Sequence, residues 1–323
     1  ASDVYKRQIE GDCQDGVGTW LDGSGNTFTG QFKNGKRQGS GTLLYPSGEK
    51  WEGQWKDDKK WNGNGTIMSI WYKYVGQYKM GKRNGNGEFT FFDWPYDANY
   101  VGSWNDGKMH GQGTFSFSSG AKYIGEWENG DMHGSGTYSY YTGSMFKGTL
   151  DSDALEGQGI YTTKDGYRYS GEFKNDHFTG KGKETFPDGR EYDGNFQQDK
   201  RHGEGVFSTS GGDTYTGTWS YGKKHGFGIQ KSENGSTYLG EWHEGAIHGN
   251  GIMIKANGQK IYGNWLDGLM KKQIPEDQVA AYLKNKYPKF EFDDPISALR
   301  LSLIHISEPT RPRLISYAVF CLK

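Results

Sequence analysis

Long apolar runs are missing from this sequence. No segment stays apolar over the roughly 20 residues that a membrane-spanning helix requires. Cysteine is nearly missing too: there are two, Cys13 and Cys321, in 323 residues. That is too few for a disulfide framework and fits a reducing compartment. Proline is scarce, with eight residues. Neither sign of charge dominates, since the formal net charge is −1, so a nucleic-acid partner is not expected. Aliphatic bulk is low, with a mean hydropathy of −0.90. Low hydropathy with few aromatics would indicate disorder. Here 15% of residues are aromatic and 52 are glycine. Short strands, tight turns and a small aliphatic core are what that combination predicts.

The two ends stand apart. Residues 1–8 (ASDVYKRQ) and 301–323 look like translated sequencing adapters, and are expected to be non-native. Together they hold five basic and two acidic residues, so the remainder is more negative than the whole. Setting Cys321 aside leaves Cys13 alone.

The remainder repeats. Tyr100 to Lys122 reads YVGSWNDGKMHGQGTFSFSSGAK, and Tyr123 to Met145 reads YIGEWENGDMHGSGTYSYYTGSM. Units start at Phe28, Trp51, Tyr74, Tyr100, Tyr123, Phe146, Tyr169, Tyr192, Tyr215, Tyr238 and Ile261; the spacing is 23 throughout, except 26 from Tyr74 to Tyr100. Positions 1 (aromatic), 3 (Gly) and 5 (Trp, Phe or Tyr) alternate, so they share one face of a strand. The glycine between two aromatics leaves room for rings from neighbouring strands. Position 8 is Gly or Asp, a turn residue. A second strand opens with G-x-G, as in Gly111-Gln-Gly113, and alternates again through Thr114-Phe115-Ser116-Phe117. Another Gly near position 21 turns into the next unit. Each unit is therefore a β-hairpin, and the chain is a meander.

The pattern Y-x-G-x-W-x-x-G-x-x-H-G-x-G resembles the MORN repeat (membrane occupation and recognition nexus). The resemblance spans roughly residues 9–272. The fold expected is all-β: an elongated single-layer antiparallel sheet of about 11 tandem hairpins, on the order of 100 Å long at ~4.8 Å per strand. Residues 273–300 are expected to form a C-terminal cap. Its helix starts at Pro275-Glu276-Asp277, as the dipole favours, and stops at Pro288. Val279, Tyr282 and Leu283 share one side and should cover the open end or edge of the last hairpin.

Chemistry is hard to find. His110, His133, His202, His225 and His248 share position 11, but successive hairpins place them roughly 10 Å apart, too far to share a metal with bonds of about 2 Å. They read as polar turn residues, and the off-register His177 and His243 as solvated. Asp153, Asp176 and Asp199 recur at position 8 and read as turn residues. No nucleophile motif or phosphate loop is present, and no cofactor is implied.

The expected function is that of a non-enzymatic scaffold or adaptor. It would bind a protein partner (a peptide, a helix or a second copy) along its aromatic face. A single-layer sheet cannot cover both faces, so some of Tyr100, Tyr123, Tyr169, Tyr192, Tyr215 and Tyr238 should stay accessible. The three extra residues before Tyr100 carry Trp94 and Tyr96 beside Pro95, which cannot join a ladder. An irregular loop gives a partner a register, so the predicted partner site is Tyr78, Trp94, Tyr96, Tyr100 and Trp104. A second reading is peripheral binding to anionic phospholipid through a basic stripe of Lys36, Arg37, Lys59, Lys60, Lys82 and Arg83. A third follows from the resemblance: such repeats precede lipid kinase and lysine methyltransferase domains in some families, and a catalytic domain could lie beyond this stretch. The resemblance also implies a cytoplasmic setting, associated with cytoskeleton or membrane.

Overall fold

The structure, a computed structural model, describes residues 7–92 and 97–288. Among these residues are 25 strands and one helix, Glu276–Lys286. The chain divides into two compact units, Ala1–Lys164 and Asp165–Lys323. In each, strands pair antiparallel with their neighbours along the chain, as an all-β array of tandem hairpins requires.

The unit beginning at Tyr100 shows how the sequence makes the hairpin. Strand Ala98–Asn105 turns through Asp106 and Gly107 into strand Lys108–Phe117. Both turn residues have positive φ, 51° and 92°, the backbone that a tight two-residue hairpin needs. Where position 8 is aspartate, the side chain takes on a second task. Asp58 Oδ1 accepts from the Arg37 N–H at 3.0 Å, Asp153 Oδ1 from Met132 at 2.8 Å and Asp199 Oδ1 from Phe178 at 2.7 Å. Each stitches its turn to the preceding hairpin, so these carboxylates are turn residues, as expected.

Across the sheet the glycines form a row. Gly76 pairs with Gly87, Gly87 with Gly102, Gly102 with Gly113 and Gly113 with Gly125. Beyond the row each hairpin bulges: Gly102 faces Gly113, yet Trp104 faces Met109. Tyr100 lies over Gly102 of its own strand, where the sequence suggested a ring from a neighbouring strand, and also over Gly113 of the paired strand. A Cβ on Gly113 would lie 2.4 Å from Tyr100 Cε2 and Oη. The Tyr100 hydroxyl donates to Ser103 O at 2.9 Å, which satisfies a carbonyl that the bulge removes from the ladder. Tyr74, Tyr123, Tyr169, Tyr192, Tyr215 and Tyr238 make the same bond to the residue three further on.

The sheet supplies its own core on this face. Trp104 stands edge-on to Tyr100 at 5.2 Å and to Tyr74 at 5.3 Å; Trp127 does the same with Tyr123 and Tyr100, both at 5.3 Å. The same edge-on contacts recur at Tyr192, Tyr215 and Tyr238, while Leu150 replaces the ring at position 5 of the repeat at Phe146; each ring contact contributes about 0.5–1.5 kcal/mol beyond its buried area.

The helix departs from expectation. It lies on the opposite face of the sheet, not over an open edge. Val279 and Leu283 join Phe227, Ile229, Leu239 and Ile252 in one buried cluster. The last strand, Leu269–Gln273, stays exposed at all five residues. Face burial wins because Phe227, Ile229, Leu239 and Ile252 put apolar side chains together on this face, which gives Val279 and Leu283 a surface that an edge lacks.

Candidate functional site

The aromatic face is closed, which corrects the expected groove. Tyr100, Tyr123, Tyr169 and Tyr192 are 0% exposed. Tyr78 and Trp104 are buried as well. Two things cover them: rings of adjacent hairpins, and the side chain at position 10. Arg37 lies 4.2 Å over Trp55, Arg83 4.3 Å over Trp104 and Lys224 4.8 Å over Trp242. In the hairpin of Tyr169 the cover is Phe178, stacked at 3.8 Å. Cation and ring are interchangeable here because both lie flat on an aromatic face. Tyr78, Tyr100 and Trp104 therefore spend their surfaces inside the sheet. Trp94 and Tyr96 lie outside the described residues.

The basic stripe separates into two kinds of residue. Lys36, Lys59 and Lys82 at position 9 are exposed, while Arg37, Lys60 and Arg83 at position 10 are half-buried over rings. Burial lowers the pKa of Lys60 and of Arg83, as removal of a cation from water must. Lys82 meets Asp106 at 2.5 Å. Adjacent residues on a strand point to opposite faces, so a stripe drawn from charge alone joined two different sets.

The second face is where the molecule remains open. Position 2 is exposed and apolar in three successive units: Val75 at 42%, Val101 at 51% and Ile124 at 49%. They stand in one row, separated by Glu88 and Thr114, which pair with them directly. The row leads from a shallow groove of about 450 Å³ lined by Thr42, Glu52, Gln54, Thr66 and Val75.

In the second unit the chain's own helix covers the equivalent repeat position. Leu239, at position 2, packs under Val279 and Leu283. Glu241, at position 4, takes hydrogen bonds from Lys286 Nζ at 2.6 Å, Tyr287 Oη at 2.9 Å and Tyr282 Oη at 3.2 Å. Burial pushes its pKa up, but the bonds from Lys286, Asn250 and Tyr287 hold it below the ordinary value. Leu239 and Glu241 are matched in the first unit by Ile124 and Glu126, the same two positions in another repeat. The signal was present in the sequence as the complement of the aromatic alternation, but composition alone does not mark which face is closed.

This geometry defines a class: a tandem β-hairpin repeat protein with one self-filled face and one open face. The MORN repeat model matches residues 28–50, 74–95, 100–122, 123–145, 146–166, 169–189, 192–214, 215–237 and 238–260, and the chain belongs to the MORN-repeat family. The family is a repeat module of the scaffold and adaptor kind. The hairpin at Trp51 falls outside the match; its G-x-G, Gly63 and Gly65, arrives one residue late in the repeat. No curated protein matches the chain. Among solved structures it is similar to the TCP domain of SAS-4 from Drosophila melanogaster in complex with a proline-rich motif of Ana2, at 10% identity and a TM-score of 0.27, over 68% of this chain and 93% of that one. It is also similar to a streptogramin B lyase, at 12% identity and a TM-score of 0.14, over 81% and 87%. Likenesses at these scores bear on neither fold nor function.

Proposed function

We propose that this protein is a scaffold that binds an amphipathic helix of a protein partner on the open face of its first unit, over Val75, Val101 and Ile124. The observation that carries the reading is the docked helix of the second unit. There, the same repeat positions bury Val279 and Leu283 and hold Lys286 and Tyr287 on a carboxylate. A partner helix would place apolar residues on Ile124 and Val101, and a lysine or tyrosine on Glu126. Exposed apolar rows of this kind mark interaction surfaces, and a helix laid in a groove is a common recognition mode. In this reading the chain works without catalysis, in the cytoplasm, as part of a larger assembly.

A photo-crosslinking residue at Val101 tests the reading, with one at Lys147 as a control on the same face. Capture of a defined partner at Val101, abolished by I124R with an unchanged melt, is the expected result. Capture that survives I124R, or none at Val101, would overturn it.

Anionic phospholipid is a second reading, favoured by the exposed ammonium groups of Lys36, Lys59 and Lys82 on one turn edge. Each contributes roughly 1 kcal/mol near such a surface and is screened by salt. Vesicle sedimentation at two ionic strengths, with all three changed to Glu, decides it.

A further inference from the structure

One group of histidines does not fit the turn-residue account. Position 11 reaches the hairpin turn of the following repeat. His202 meets Tyr221 there, with ring centroids 5.2 Å apart. His133 lies 3.3 Å from Asp151, and His248 is 3.8 Å from Asp267. At His225 the following turn holds His243 and Glu244. The ligand atoms of all three lie within 4.8 Å of one another. Position-11 histidines by themselves remain too far apart to share an ion, but a histidine at position 6 of the next repeat stands closer. Turn pairing brings that residue alongside: the Gly245 N–H donates to Lys224 O at 2.9 Å.

We propose that His225, His243 and Glu244 bind one divalent transition-metal ion of the zinc class. Three observations converge. The ring centroids of His225 and His243 are 5.4 Å apart; two imidazoles on one tetrahedral zinc, with bonds of about 2 Å, stand about 5 Å apart. Two imidazoles and a carboxylate form a ligand set that zinc accepts, with the fourth position left to water. His225 Nδ1, like that of His202 and of His248, is buried with no hydrogen-bond partner, an unmet demand that a metal on the other ring nitrogen relieves here by fixing the tautomer. His243 and Glu244 are exposed and His225 is half-buried, so an ion enters from solvent. The ion displaces the ion pair between Glu244 and Lys223, 2.5 Å long and solvated on both sides, which contributes little. A bound ion would tie two successive repeats together at their turns.

Isothermal titration of the untagged full chain with zinc chloride tests the site, with cobalt(II) absorption as a second readout. One equivalent is expected to bind, with a cobalt spectrum of low-coordination type. H243N and E244Q should weaken binding at least tenfold, while H202N, at the same repeat position but facing a tyrosine, should leave it unchanged. His243 and Glu244 are exposed, so these variants keep the melt of the parent protein in the absence of metal. Absence of binding at millimolar zinc overturns the proposal. So does binding that persists unchanged in H243N and E244Q, since the metal would then be held elsewhere.

Discussion

Tyr100 shows what one residue of the repeat contributes. Its ring covers Gly102 and Gly113, its hydroxyl satisfies the carbonyl of Ser103, and two tryptophans stand against it. These roles separate experimentally. Y100F removes one hydrogen bond and leaves the packing, so it should cost about 0.5–1.5 kcal/mol in a denaturant melt. G113A drives a methyl group into the ring and should cost more, about 1–3 kcal/mol. Comparable losses in the two variants would show that the glycine row is not needed for the ring. The cations divide in the same way. R83E places a carboxylate over Trp104 and should lower the melting temperature by several degrees, whereas K82E at an exposed neighbour should change stability by less than about 0.5 kcal/mol. A six-residue charge reversal across the stripe would therefore confuse lost lipid contact with a damaged fold; only Lys36, Lys59 and Lys82 test lipid.

At the scale of the element, the helix Glu276–Lys286 has few means of standing alone. It is 11 residues long with no side-chain cap at its start, too short to persist in water by itself. Tertiary burial holds it. L283A should cost about 2–5 kcal/mol of docking. Amide hydrogen exchange should then quicken across residues 276–286 and stay slow in the hairpins; equal quickening everywhere would mean that the helix and sheet unfold as one. Docking should also depend on pH through Glu241. Its pKa is lowered on folding, so the stabilisation is fully present above the unfolded value, about 4.3, and is lost as pH falls through the folded value. Helix protection should weaken in acid below about pH 4 in the parent protein, and much less in E241Q.

The whole molecule is built by addition, and within each unit a hairpin touches mainly its neighbours. Removal of residues 123–145, one full period, should rejoin Lys122 to Phe146 in phase and leave a cooperative melt. Removal of 22 residues puts every following side chain on the wrong face and should abolish it; circular dichroism distinguishes the two. The same additivity explains why a site can belong to one repeat alone. His225 is an ordinary position-11 residue until the next turn supplies His243 and Glu244.

Much of this was legible in the sequence for one reason: the period of 23 forces every unit into the same environment. Alternation of Tyr, Gly and Trp determined the strands, Asp-Gly and Asn-Gly determined the turns, and G-x-G located the second strand. Pro275 and the acidic turn after it located the helix. What alternation cannot say is which of two faces is covered, because the covering group is the position-10 side chain of a neighbouring strand, that of the preceding hairpin for Trp55, Trp104 and Trp242, rather than of the strand that bears the rings. Tertiary structure alone therefore closed the face of Tyr78, Tyr100 and Trp104. It also opened the face of Val75, Val101 and Ile124, and laid the helix on Leu239 and Ile252 instead of on an edge. His243 was paired with His225 by the same route. Residues 18 apart in the chain meet only when antiparallel pairing sets one hairpin's turn against the strand before it.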